Sequence, residues 1–221
     1  MFPLSNMKDM LVIAGPSAVG KTTVSDEIIR QNDKFTLIRS ATTRAPRGDG
    51  HDGEYVYLSR EEFLRAAESG DMLEYTEYSG DLYGTRRTEL SRAYSEGRIP
   101  LLILDLRGVS AVRESEYRDA LCVYLYDSLN TLEERLYARY MTPPSIEGLT
   151  KFVKRKEQNI ADYLAFEKHA ELFDFLISND AAPSTTAEKI LAAMTGESAP
   201  ESISETVATL YAMADEKMPK K

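Results

Sequence analysis

Residues 10–23 read Met-Leu-Val-Ile-Ala-Gly-Pro-Ser-Ala-Val-Gly-Lys-Thr-Thr, an apolar run that passes directly into the pattern G-x-x-x-x-G-K-T. Leu11–Ala14 reads as a buried parallel strand and Thr22–Gln31 has the polar/apolar period of a helix. A glycine-rich turn between them is the setting of a phosphate-binding loop. Gly15 and Gly20 let the backbone curl so that successive N–H groups converge, Lys21 reaches the outer phosphates of a nucleotide, and Thr22 offers a hydroxyl to Mg²⁺. The helix starting near Gly20 adds the positive end of its dipole. The bland alternative is a strand-to-helix turn with a solvated lysine.

Outward from the loop, apolar runs at Leu11–Ala14, Phe35–Ser40, Pro100–Asp105, Leu121–Tyr126 and Phe173–Ser178 alternate with helical stretches, the pattern of a parallel α/β sheet. The segment 41–87 differs in character, being rich in Gly, Tyr, Arg and acidic residues, and reads as an inserted lobe with strands at Tyr55–Leu58 and Leu73–Tyr78. Between them Ser59-Arg-Glu-Glu62 has the form of a capping box for a helix running to about Ser69 and stopped by Gly70. Met141-Thr-Pro-Pro-Ser145 interrupts the helix of Leu129–Tyr140 before a long basic and aromatic helix from about Ile146 to Glu171. Thr185 is the expected cap of the last core helix, which ends near Gly196. Beyond it, 197–221 shifts to Ser, Glu and Ala, with a helix over Ile203–Met213 that places Ile203, Val207, Leu210 and Tyr211 on one face.

The composition excludes several classes. The 221 residues suffice for one domain with a substantial core, and 43 % hydrophobic residues fit a globular chain. No run approaches the length of a membrane span, and the opening residues lack the apolar stretch of a signal peptide, so a cytoplasmic protein without membrane contact is expected. Cys122 is the single cysteine and the two histidines, His51 and His169, are far apart, which argues against disulfides and zinc. A net charge of −9 argues against nucleic-acid binding, because a duplex binder needs a basic face. An anionic ligand must therefore be held by local clusters, of which Arg39/Arg44/Arg47, Arg86/Arg87/Arg92, Arg135/Arg139 and Lys151/Lys154/Arg155/Lys156 are candidates.

Four further motifs follow the loop. Ser40-Ala-Thr-Thr-Arg-Ala-Pro-Arg47 sets two arginines around a proline just after a strand end, and arginine forks bind phosphate bidentately. Glu74-Tyr-Thr-Glu-Tyr-Ser-Gly-Asp-Leu-Tyr-Gly-Thr85 presents a carboxylate, tyrosines and a hydroxyl around a glycine turn. Leu101-Leu-Ile-Leu-Asp105 is an apolar strand ending in an acid, where a hydrated Mg²⁺ is commonly held. Glu134-Arg-Leu-Tyr-Ala-Arg139 and Lys154-Arg155 supply cations to flank a transferring phosphoryl group. Taken singly, the arginines could be solvated, Asp105 could merely cap a helix, and Tyr83 could be core.

Together these motifs resemble the guanylate kinase family over roughly Met10 to Met194. GPSAVGKTT matches the family's GPSGxGKST, SATTRAPR its SSTTRxPR, MLEYTEYSGDLYGT its FLEWxxYxGNYYGT, LEERLYARY its LxxRLxxRG and FDFLISND its YDYVIVND. The resemblance implies a P-loop nucleoside monophosphate kinase of the α/β class: a parallel sheet core flanked by helices, a GMP-binding insertion at 41–87 and a lid at 135–165, all within a domain of residues 1–196 followed by the extension 197–221. It implies transfer from ATP·Mg²⁺ to GMP, giving ADP and GDP. Carried over by position, the guanine contacts fall on Ser40, Glu74, Thr85 and Asp105, and the GMP phosphate contacts on Arg44, Arg47, Tyr55 and Tyr83. ATP contacts fall on Ser17, Ala18, Val19, Gly20, Lys21, Thr22 and Thr23, with Asn179 near the adenine. Lys21, Arg44, Arg135, Arg139 and Arg155 take the catalytic roles, with Lys151 and Lys154 as alternatives to Arg155 in a lid longer than usual. Metal contact falls on Thr22 and, through water, on Asp105, although Leu-Asp-Leu-Arg-Gly is shorter than the family's LDIDxQG. Small-molecule substrates and a monomer or homodimer are expected. Two alternatives are a kinase of this fold acting on another phosphorylated acceptor and a non-catalytic module of the same fold. Glu74 with Asp105 speaks against the first, and Lys21 against the second.

Overall fold

Strand β1, Leu11–Ala14, buries all four of its side chains, as a parallel strand covered on both faces must. The structure, a computed structural model, describes residues 8–46, 53, 55–78, 80–197 and 203–218. After β1 come α1 (Lys21–Gln31), β2 (Phe35–Leu37), β3 (Ser40–Thr42), β4 (Tyr55–Tyr57), α2 (Arg60–Glu68), β5 (Met72–Tyr78), β6 (Asp81–Arg86) and α3 (Arg87–Ser95). The chain continues through β7 (Ile99–Ile103), α4 (Leu106–Glu114), β8 (Leu121–Tyr126), α5 (Leu129–Tyr140), α6 (Ile146–Ala165), a 3₁₀ segment at Phe166–Leu172, β9 (Phe175–Ser178), α7 (Pro183–Met194) and α8 (Ile203–Asp215). One sheet has the order β2-β7-β1-β8-β9 and the other β4-β3-β6-β5. The pairings β2 with β7 and β8 with β9 are parallel, with Phe35 opposite Ile99 and Val123 opposite Phe175. Among the described residues no helix is long and apolar enough to cross a membrane.

The chain forms two compact units, one from Ile13–Ile28 with the residues from Leu121 onward, the other from Lys8–Val12 with Ile29–Ala120. In the second unit the smaller sheet joins β3 in parallel to β4 and antiparallel to β6, which pairs antiparallel with β5. Its core is Ala41, Phe63, Met72 and Leu82, closed by Leu58, Ala66 and Ala67. Helix α2 is aimed onto that core by the capping box: the Ser59 hydroxyl accepts from the Glu62 N–H while Glu62 accepts from the Ser59 N–H at 2.8 Å. Gly70, with φ of +78°, ends the turn as expected. In the first unit Tyr124, on β8, packs against Phe166 and Phe173 at ring separations of 4.2 and 5.2 Å.

Several boundaries differ from the sequence reading. The single run Phe35–Ser40 is two strands: pairing with β7 continues to the Ile38 N–H, which donates to Leu101 O, and the chain then enters the other sheet at Ser40. The helix expected to reach Glu171 tightens to 3₁₀ geometry after Ala165, with Phe166 buried. Helix α7 starts ahead of Thr185, with Pro183 at its first turn, where a missing N–H costs nothing. Helix α8 packs against α6 and the 3₁₀ segment, and it buries Thr206, Leu210 and Ala214. Tyr211, expected on its apolar face, is 53 % exposed.

Candidate active site

The loop after β1 is held by side chains from α5, from α6 and from the residue that follows β9. Gly15 adopts φ of +151° and a Cβ there would lie 2.4 Å from Leu125 O; Gly20 adopts +98° and its Cβ would lie 2.8 Å from Asn179 Nδ2. No residue but glycine meets both demands. Val19 is fully buried beneath the loop. Ser17 and Gly20 are half-buried, whereas Thr22 and Thr23 are exposed in the first turn of α1. The Lys21 ammonium curls over the loop and donates to Gly15 O and Pro16 O, each at 2.9 Å. Arg135, from α5, donates to Ala18 O at 3.4 Å and Val19 O at 3.3 Å and pairs with Asp127 at 3.0 Å.

Ala18 sits at φ of +66°, where the family pattern carries glycine. A left-handed residue with a Cβ costs about 1–2 kcal/mol, while glycine's extra freedom in the unfolded chain costs about 0.4–1 kcal/mol. The first term wins. Ala18→Gly is therefore expected to raise the melting temperature by about 1–3 °C; a lower melting temperature in a thermal denaturation series would show that Ala18 is not strained.

Cationic side chains of α5 and α6 act on the loop lysine. Burial pushes the Lys21 ammonium down to about 8, with the positive charges of Arg155 and Arg139 adding to the effect and Asp162 opposing it. Arg155, one of three basic candidates near that point of the sequence, is thus placed in the field of Lys21. Arg139 is exposed, its guanidinium 5.7 Å from the Tyr140 ring centroid. The α5–α6 corner is tight: a Cβ on Gly148 would lie 2.1 Å from Tyr140 O, and the Ser145 hydroxyl caps α6 by accepting from the Gly148 N–H.

Asn179, 4 % exposed, is committed to the loop itself. Its Nδ2 donates to Val19 O at 2.7 Å and its Oδ1 accepts from the Thr186 hydroxyl at 2.7 Å. Asn159 on α6, absent from the sequence reading, does more: its Oδ1 accepts from the Ser17 N–H at 2.9 Å and its Nδ2 donates to Ser17 O at 3.0 Å.

In the other unit the sheet gathers the acceptor candidates. Glu74 and Thr85 are register partners on β5 and β6, and the Thr85 hydroxyl donates to Glu74 Oε1 at 2.8 Å. Gly84 makes that approach possible, since a Cβ there would lie 2.6 Å from Glu74 O. Burial raises the Glu74 carboxyl above the usual range; the Thr85 hydrogen bond opposes this and the Asp105 charge adds to it. Asp105 is exposed at the start of α4 and accepts from the Gly108 N–H at 2.9 Å, so it does cap a helix while its charge reaches Glu74. Ser40 opens β3 opposite Tyr55.

Arg44, Tyr55 and Tyr83 form one group. The Arg44 guanidinium lies 5.0 Å from the Tyr55 ring centroid, Tyr55 meets Tyr83 edge-on at 6.2 Å, and Arg44 Nη2 reaches Tyr57 OH at 3.5 Å. Arg44 Nε is buried without a hydrogen-bond partner among the described residues. Thr42 turns the chain at this point by accepting from the Arg44 N–H. Arg47 lies outside the described residues.

The sequence profile described as "Guanylate kinase" matches residues 7–195. Guanylate kinase of Streptococcus thermophilus is 37 % identical over 177 residues, covering 79 % of this chain and 80 % of that one. The human guanylate kinase is 33 % identical over 180 residues, covering 80 % and 88 %, and that of Thermus thermophilus 34 % over 189 residues, covering 85 % and 81 %. Among solved structures, guanylate kinase from Anaplasma phagocytophilum aligns with a TM-score of 0.59 at 24 % identity over 87 % of each chain, a likeness in fold. With a phosphate loop in one unit, a carboxylate and arginine–tyrosine group in the other, and relatives matching through both, the chain belongs to the guanylate kinase family.

Proposed function

We propose that the chain transfers the γ-phosphoryl group of ATP to GMP, forming ADP and GDP. The observation that carries this reading is the half-buried Glu74 carboxylate held by Thr85 in the field of Asp105. Guanine presents an N1–H and an N2 amine side by side, and a carboxylate accepts from both. Thr85, Asp105 and Ser40 complete the guanine edge. Arg44, with its unpartnered Nε, takes the GMP phosphate together with Tyr55, Tyr83 and Arg47. ATP phosphates fall to Ser17, Ala18, Val19, Gly20, Lys21, Thr22 and Thr23, while Asn179 acts by fixing the Val19 carbonyl.

The acceptor oxygen belongs to an ionised phosphate, so no catalytic base is needed, and the difficulty is repulsion between two anions. Catalysis is then alignment plus cationic stabilisation of the moving phosphoryl group by Lys21, Arg135, Arg139 and Arg155. Mg²⁺, when bound with ATP, screens the β and γ phosphates. Among the described residues there is no cluster of three or more histidine, cysteine or acidic side chains to cage a metal. The exposed Thr22 hydroxyl fits a metal held chiefly by phosphates and water, and the resemblance assigns Asp105 a water-mediated contact.

Because the unliganded Lys21 titrates near 8 and binds phosphate only as an ammonium, ATP binding above that pH must take up a proton. The KM for ATP is therefore expected to rise as pH increases from 7.5 to 9.5, with the KM for GMP changing less; a KM for ATP flat over that window would show that Lys21 does not contact the donor. The reading as a whole is tested by offering ATP·Mg²⁺ with GMP, AMP, CMP, UMP and a ribosyl bisphosphate and measuring ADP. GMP alone should support rapid turnover, and preference for another acceptor would overturn the assignment.

A further inference from the structure

The side chain that most closely controls the phosphate loop is one that no motif reading singled out. Asn159 is 1 % exposed on α6 and uses both ends of its amide on one residue of the loop, accepting from the Ser17 N–H and donating to Ser17 O. These two groups belong to successive peptide planes, so a single side chain fixes the orientation of both. In a trans peptide the C=O and the following N–H point in opposite directions. With the Ser17 carbonyl turned to Asn159, the Ala18 N–H points the opposite way, away from the Asn159 amide. Ala18 is also the residue held at positive φ, a conformation that persists only when its surroundings impose it.

The same face of α6 makes two more connections at four-residue spacing. One turn earlier is Arg155, whose charge bears on Lys21. One turn later Tyr163 donates its hydroxyl to Asp127 O at 2.7 Å and accepts from the Asp127 N–H at 3.1 Å, and Asp127 pairs with Arg135. A packing role alone at a buried helix position would be met by an apolar side chain. A buried amide that satisfies both polar groups of one loop residue is instead a constraint on that loop.

We propose that Asn159 is a positioning residue for the donor nucleotide: it sets the Ser17 and Ala18 peptides so that the loop N–H groups converge on the ATP phosphates, and it ties that geometry to the helix bearing Arg155. The inference rests on reading the loop as the ATP site, and measuring ATP·Mg²⁺ binding by calorimetry without acceptor keeps the two separable. A parent protein that binds no ATP would sink the site reading itself. If the parent binds ATP, Asn159→Ala is expected to weaken that binding at least about tenfold and to raise the KM for ATP in step, with the KM for GMP within about twofold and the protein folded by circular dichroism. Folded Asn159→Ala binding ATP as tightly as the parent overturns the proposal. So does a rise in both KM values that merely tracks a fall in melting temperature.

Asn159→Asp supplies a second, pH-resolved test that stands even if the alanine variant does not fold. An ionised carboxylate can accept from the Ser17 N–H but cannot donate to Ser17 O, and it adds negative charge beside the phosphates. A protonated carboxyl restores the donor. ATP affinity of Asn159→Asp relative to the parent should be lowest near pH 8 and recover toward pH 5.5, and a ratio that is flat across this range contradicts the assignment.

Discussion

Lys21→Met is expected to lose phosphoryl transfer by at least about 10²–10³-fold while remaining folded, the cost found when one preorganised donor is removed from developing transition-state charge. In the unliganded chain the ammonium rests on Gly15 O and Pro16 O at 2.9 Å, buried and crowded by Arg155 and Arg139. That arrangement favours an anion: a phosphate offsets the burial of the ammonium and the repulsion from Arg155 and Arg139, which the Asp162 charge opposes. Methionine keeps the length of the chain and fills the same space without the charge, so the loop's glycine-dependent shape should survive. ADP and GDP formation would be measured with both proteins beside their thermal melts. Equal turnover would remove the phosphate loop from the mechanism altogether.

Much of this arrangement was legible from the chain itself. Continuous apolar runs give buried parallel strands their signature, and β1 and β8 appear at the residues read from the sequence. The capping box at Ser59 and Glu62 announced α2 because two reciprocal hydrogen bonds require those residue types at that spacing. What was hidden depends on tertiary context. Period-two alternation is unaffected when a strand changes sheet, so Phe35–Ser40 read as one element. No glycine or proline marks the change to 3₁₀ geometry at Phe166, and hydrophobic periodicity alone carries on past it. From the sequence Asp105 reads as cap or ligand, and the structure shows the cap together with a charge that acts on Glu74.

Asn159 was the least visible. Within Lys-Arg-Lys-Glu-Gln-Asn-Ile-Ala-Asp-Tyr it reads as one more solvated residue on a basic helix, and only its burial against a loop 142 residues away reveals otherwise. The signal available was an asparagine and a tyrosine four apart on the apolar side of an amphipathic helix, a polar pair where aliphatic residues are the rule. Asn179, which the resemblance puts near the adenine, also holds the loop by donating to Val19 O and accepting from the Thr186 hydroxyl.

The second large effect is expected at Glu74. Adenine offers an unprotonated N1 and no N2 amine, so AMP would leave the half-buried carboxylate with the Thr85 hydroxyl but without its two base donors, at about 1–3 kcal/mol and more for a charged group. Sites built in this way reject the wrong partner by about 10⁴-fold. Glu74→Ala should abolish most of that preference chiefly by losing GMP activity, not by gaining AMP activity. Acidification should act in the same direction in the parent. Burial holds the Glu74 carboxyl above the usual range, so it gains a proton, and ceases to accept two hydrogen bonds, at a higher pH than an exposed glutamate. The KM for GMP should therefore rise as pH falls, and this rise should be absent in Glu74→Ala.

The most direct measurement is the ratio of kcat/KM for GMP over AMP, taken in the parent and in Glu74→Ala with ATP·Mg²⁺ as donor. A parent ratio near 10⁴ that collapses in the variant through loss of GMP turnover is the expected result. A parent that phosphorylates AMP as readily as GMP, or a ratio indifferent to Glu74, contradicts guanine recognition by this lobe.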